Sequence, residues 1–129
     1  MKFECEGKVA IDSPKEAQIR RAVASLRTYG KSSLASLTDD LGNYVQVLGG
    51  GVTCLLEYYR VDSNERLRGA TGNPNRAFPD GTLLVCGNNR IPMKSDEWFR
   101  SDEVADVFSR FLAGEAFPFG VSWRAAPGF

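Results

Sequence analysis

The sequence contains no histidine. That removes the side chain whose ordinary pKa lies nearest neutrality, together with the Ser–His and Cys–His pairs and most catalytic zinc sites. Nor is there an excess of either charge: Lys plus Arg is 16 and Asp plus Glu is 16. A balanced chain has no overall field drawing it onto nucleic acid or an anionic membrane, so neither is an expected partner. No apolar run approaches the ~20 residues of a membrane-spanning helix, and Met1–Ile11 lacks the apolar core of a signal peptide. Cysteine is scarce. Cys5, Cys54 and Cys86 are odd in number, widely spaced and set in apolar stretches. Buried, reduced thiols in a cytoplasmic protein are the expectation, with no disulfide, metal or cofactor. Gly49–Gly51 lacks the Lys-Ser or Lys-Thr of a phosphate loop and reads as a hairpin turn.

What is present is an ordinary globular composition. Hydrophobic residues are 43% of 129, enough for one domain, 1–129, with a real core. The strongest pattern runs from Arg100 to Trp123. Val104, Val107, Phe108, Phe111 and Leu112 recur at helical spacing and predict a core-facing helix. Ser101 suits its N-cap, Asp102 and Glu103 its positive end, and Gly114 its left-handed close. Phe117, Phe119, Val121 and Trp123 then alternate as an extended tail. Trp123 is expected to be structural, packing against Phe108, Phe111 or Leu112.

Upstream, Met1–Ile11 alternates weakly as a strand. Ser13, Pro14, Lys15 and Glu16 have the form of a capping box. Ile19, Ala22, Val23 and Leu26 make the stripe of a first helix that Gly30 ends. Short strands follow at Leu34–Thr38, Tyr44–Leu48, Val52–Val61, Glu65–Ala70 and Thr82–Cys86, divided by turn residues. Within Val52–Val61, Cys54, Leu56 and Tyr58 share one face, and Leu55, Glu57 and Tyr59 share the other. Arg90–Trp98 leads into the second helix. The turns are too short for crossover helices. The expected fold is therefore α+β: an antiparallel meander of five to seven strands with two helices on one face.

No catalytic constellation stands out. The doublets Asp39/Asp40, Asp96/Glu97 and Asp102/Glu103 place adjacent carboxylates on opposite sides of a strand or helix. The chain is expected not to be an enzyme. Charge distribution is more informative. Asp96, Glu97, Asp102, Glu103 and Asp106 crowd the approach to the second helix, and Asp39 and Asp40 form another acidic turn. One reading makes these a helix cap and an ordinary polar face. The other makes Asp96, Glu97, Asp106, Asp39 and Asp40 an acidic surface for a basic protein partner, with Trp98 and Phe99 as aromatic anchors. A small-ligand pocket lined by Tyr58, Tyr59, Trp98 and Trp123 is a further alternative.

The order of motifs resembles the type-one immunity proteins of bacterial polymorphic toxin systems, often paired with nucleic-acid deaminase toxins. The similarity runs through the opening strand and helix, the strands around Tyr44–Leu48 and Val52–Tyr59, and the short strand and turn at Arg68–Gly72. It continues through Asp80, Gly81, Thr82, Leu83, Leu84, Val85 and Gly87, then Ile91 and Pro92 before the acidic helix. Val107, Phe111, Leu112, Pro118, Val121, Ser122 and Trp123 complete it. Arg90–Phe99 departs from the pattern, and the tail Arg124–Phe129 is additional. The resemblance implies a non-enzymatic cytoplasmic inhibitor, a monomer by preference, that binds a cognate toxin domain. An acidic inhibitor can enter the basic groove of such a toxin and associate quickly.

Overall fold

A computed structural model describes residues 1–127. The last two positions of the tail Arg124–Phe129 lie outside the described residues. The elements are β1 (Lys2–Cys5), β2 (Ile11–Asp12), α1 (Glu16–Ser25), β3 (Leu34–Thr38), β4 (Tyr44–Gly50), β5 (Thr53–Arg60), β6 (Glu65–Ala70), β7 (Thr82–Cys86), β8 (Asn89–Met93), α2 (Ser101–Ala113) and β9 (Ser122–Ala125). A seven-stranded sheet has the order β2-β1-β3-β4-β5-β6-β9, and β7 and β8 form a second, two-stranded sheet. Every pairing is antiparallel. The fold is α+β, with both helices on one face of the large sheet.

Alternation along the strands decides what each face buries. Phe3, Cys5, Ala35, Leu37, Val45, Val47, Cys54 and Leu56 point toward the helices, where they meet Ile19 and Val23 of α1 and Val104, Val107 and Phe108 of α2. Fully burying each Val or Phe is worth ~1.5–3 kcal/mol, so this layer holds the fold together. Phe111 packs edge-on to Tyr58 with ring centroids 6.3 Å apart. Trp123 reaches the same cluster through Tyr58 at 5.3 Å and Phe117 at 5.1 Å. Leu112 is half-buried there too. Phe119, expected on the apolar face of the tail, is instead fully exposed, because only Ser122–Ala125 pairs with β6.

The helix ends differ from their predicted positions. Ser13 does not cap α1. It sits at φ 51° and donates its N–H to the Met1 carbonyl at 2.8 Å, while Lys15 N–H donates to Gln18 Oε1 at 2.9 Å. The helix stops at Ser25, before Gly30, because the chain must turn beneath the β4–β5 hairpin. There Gly50 lies so close that a Cβ on it would stand 2.1 Å from the Leu26 carbonyl oxygen. In α2, Glu103 Oε1 accepts from Arg100 N–H at 2.9 Å, one residue earlier than the predicted Ser101 cap. Gly114 closes α2 at φ 69°, as its left-handed freedom allows.

The largest departure is β8. The sequence predicts only a lead into α2 for Arg90–Trp98, yet Asn89–Met93 pairs with β7 to make a hairpin separate from the meander. That hairpin lies across the second face of the sheet. Leu84, Cys86, Met93 and Trp98 close over Leu55, with Leu48, Phe78 and Ile91 at the margin. The chain then returns to the sheet at Phe99, which exchanges backbone hydrogen bonds with Cys54 at 2.9 and 3.0 Å. Successive side chains on extended backbone point to opposite faces. Phe99 therefore enters the helix-side core, and Trp98 enters the hairpin-side core.

Candidate protein-binding surface

The hairpin covers one end of the second sheet face. Strand register identifies the residues of that face. Glu57 of β5 stands opposite Arg68 of β6, and Arg68 stands opposite Arg124 of β9. Two arginines directly opposed repel unless a carboxylate intervenes. Glu97 supplies it. Its Oε1 lies 3.4 Å from Arg68 Nη1, and its Oε2 accepts from Arg124 Nε at 3.3 Å. Lys94 N–H donates to Glu97 Oε1 at 2.7 Å. Asp96 pairs with Arg124 and raises the pKa of its guanidinium through that hydrogen bond. Arg66 Nη2 donates to Glu57 Oε2 at 3.1 Å.

Burial corrects three of the expected binding residues. Phe99 is 1% exposed within the helix-side core, and outside that core Glu97 is 3% and Trp98 6% exposed. None presents itself to a partner, because Phe99 lies in that core, Glu97 neutralises the opposed arginines and Trp98 stacks on Phe78 at 4.4 Å beneath the hairpin. Asp96 is half-buried and committed to Arg124. The proposed ligand pocket is also not assembled. Tyr58 and Trp123 lie in the helix-side core, Tyr59 on the opposite face, and Trp98 under the hairpin.

The other candidates are at the surface in two separate places. Asp106 is 58% exposed on α2 and bonded to Arg20 of α1 at 2.9 Å. Asp102, also exposed on α2, is held below the usual carboxylate range by its hydrogen bond from Arg100. Asp39 shapes the β3–β4 turn: its Oδ1 accepts from the N–H groups of Leu41 and Asn43, both at 2.9 Å. Asp40 at the tip of that turn is 94% exposed, with the N-terminal amine 3.3 Å away.

Sequence reasoning missed the uncovered part of the second face, which adjoins the Asp39–Asp40 turn. Lys2 and Glu4 of β1, Ser36 and Thr38 of β3, Tyr44 and Gln46 of β4, and Tyr59 of β5 fall on it by register. All are exposed or half-buried. Tyr44 and Tyr59 are cross-strand partners, stacked with centroids 5.2 Å apart and planes 22° apart. A cleft of about 410 Å³ runs along its margin between Lys2, Glu4, Asp12, Thr38, Asp39 and Asp40. The signal available in the sequence was the polar half of the β1, β3 and β4 alternation, but only pairing order shows that these halves adjoin.

The three cysteines are free and buried. Burial pushes the Cys54 thiol up to about 12, and raises that of Cys5 as well. Among the described residues, no group of three or more His, Cys, Asp or Glu side chains is placed to hold a metal ion. No helix among them is long and apolar enough to cross a membrane. Comparison of the chain with protein-family models, curated proteins and solved structures finds no match in any of the three.

Proposed function

We propose that this chain is an immunity protein, which binds a cognate bacterial toxin domain in the cytoplasm and neutralises it without chemistry of its own. The toxin is of the nucleic-acid-directed kind, a deaminase foremost, as the order of motifs in the sequence implies. The observation that carries the reading is the division of labour on the sheet. One face is committed to the helix-side core, while the other leaves polar and tyrosine side chains open beside an acidic turn. Rigid strands holding aromatic side chains within a polar rim suit protein recognition, since little conformational entropy is lost on binding. Acidic groups at that rim favour encounter with a basic toxin groove.

The test is co-expression with the product of the adjacent gene. A toxin-like C-terminal domain encoded there should co-purify with this chain, and cells expressing that domain should survive only when the chain is present. Failure to bind, together with unrelieved toxicity, would refute the reading.

A further inference from the structure

The β7–β8 hairpin has an open edge of its own. Among the described residues, β7 has only β8 as a strand neighbour. Gly87 and Asn88 form a two-residue turn, so Cys86 and Asn89 close it as a hydrogen-bonded pair. Antiparallel pairs alternate, so at Val85–Arg90 and Leu83–Pro92 the backbone groups point away from the partner strand. Pro92 fits that register, since it has no N–H to donate. On the β8 side, the outward Pro92 carbonyl accepts from Arg68 Nη1 at 3.3 Å. On the β7 side, the N–H groups of Leu83 and Val85 find no acceptor among the described residues.

The side chains along this edge are apolar and uncovered: Leu83, Val85 and Tyr29 are all exposed. A cleft of about 300 Å³ lies between Val85 and Gly87 on one side and Thr28, Tyr29 and Gly30 on the other. Residues 26–31 and 82–94 contain no Asp or Glu. Arg27, Lys31, Arg90 and Lys94 within them are exposed, and none makes an ion pair among the described residues. Carboxylates do bond at the borders. Asp80 accepts from Ser95 N–H beside Lys94, and Glu6 accepts from the N–H and hydroxyl of Ser33. Glu97 accepts from Lys94 N–H but is already offset by Arg68 and Arg124. Asp80 and Glu6 against those four cations leave positive charge in excess.

We propose that the β7 edge and the cleft beside Tyr29 take an extended, acidic segment of a protein partner as an added strand. This surface is distinct from the open sheet face, and its assignment does not depend on the immunity reading. An unpaired strand edge is a template for another extended chain. Main-chain bonds to Leu83 and Val85 supply affinity, and alternate side chains of the added strand supply specificity. Its apolar side chains would pack on Leu83, Val85 and Tyr29, and its carboxylates would meet Arg90, which stands opposite Val85, and Lys31. A nucleic acid or an anionic lipid offers the charge but no amide edge, so the backbone groups of β7 select a polypeptide.

The probe is a capped peptide alternating valine and glutamate, titrated into the isotope-labelled wild-type chain. Amide shifts should cluster on Leu83, Val85, Gly87 and residues 28–30, and solvent exchange of the Leu83 and Val85 N–H groups should slow. No shifts at millimolar peptide, or shifts clustered elsewhere, would overturn the proposal. The same peptide N-methylated at every residue keeps its side chains and charge but cannot donate, and should bind about 10-fold or more weakly. Val85→Pro removes an outward N–H without removing a bond to β8, and should weaken the unmethylated peptide to a similar degree. Equal affinity of the methylated peptide for the wild-type chain would refute strand addition whether or not that variant folds. Lys31→Glu with Arg90→Glu should weaken binding about 10-fold or more at low salt, and unchanged affinity would refute the acidic character of the segment. A single-stranded oligonucleotide or phosphatidylglycerol vesicles that shift the same amides and displace the peptide would assign the surface to a polyanion or a lipid instead.

Discussion

Replacing Glu97 with Gln should unfold this protein far more readily than replacing any exposed carboxylate. Read as part of a solvated acidic segment, Glu97 would contribute almost nothing, as exposed carboxylates generally do. In the structure it is 3% exposed and receives three donors: Lys94 N–H at 2.7 Å, Arg124 Nε at 3.3 Å and Arg68 Nη1 at 3.4 Å. The glutamine amide would keep the shape and one carbonyl acceptor, but it would remove the charge between two guanidinium groups that face each other across the β6–β9 pairing. Breaking a buried pair by deleting one partner costs ~3–5 kcal/mol, because the remaining charge stays desolvated. Arg124 is 37% exposed and can relax toward water, so the lower end, about 3 kcal/mol, is expected. Urea unfolding followed by far-UV circular dichroism measures it, with Asp106→Asn as the comparison. Asp106 is 58% exposed, and its loss should cost under ~1 kcal/mol. If the two variants unfold within about 0.5 kcal/mol of one another, the buried-network argument is wrong.

Other expectations follow from the same geometry. Gly50→Ala should cost ~3 kcal/mol or more, since the new Cβ would stand 2.1 Å from the Leu26 carbonyl oxygen, whereas Gly51→Ala meets nothing within 4 Å and should cost only the ~1–2 kcal/mol of its φ of 63°. A denaturation series in which Gly51→Ala is the worse of the two would refute this. For Cys54, the folded-state pKa of about 12 lies above the ordinary 9.0, so its stabilising contribution is complete below pH 9 and lost as pH rises toward 12. That loss amounts to about 1.4 kcal/mol per pH unit over that window, and it should be missing from the alkaline unfolding curve of Cys54→Ala. Native-state alkylation at pH 8 should leave all three thiols unmodified, while the denatured protein should titrate as three free thiols; rapid native labelling would contradict their burial. Trp123→Ala should cost ~2 kcal/mol, below the ~3–5 of a fully buried ring, because Trp123 is only half-buried against Tyr58 and Phe117. An unchanged melting temperature would show that β9 is not held through this ring.

Local periodicity was enough to establish the two helices, most strands of the large sheet and the class. The spacing of Val104, Val107 and Phe108 identifies α2 and its buried stripe, and the alternation in β5 assigns Cys54, Leu56 and Tyr58 to one face and Leu55, Glu57 and Tyr59 to the other. These properties repeat within one or two turns of chain, so no distant partner is needed to read them. The destination of the segment at 89–99 was not legible. Asn89–Met93 contains Pro92 and carries weak strand character; it becomes β8 only because β7 lies beside it and the sheet lies beneath. The same holds for Glu97 and Trp98. Nothing in the run Ser95, Asp96, Glu97, Trp98 distinguishes a solvated patch from a buried clasp. The opposed arginines that require a carboxylate lie 29 residues before Glu97, in β6, and 27 residues after it, in β9. Only pairing across the sheet brings those charges together. The open face was hidden for the same reason. Glu4, Ser36, Gln46 and Tyr59 belong to four strands, and their adjacency is a property of strand order.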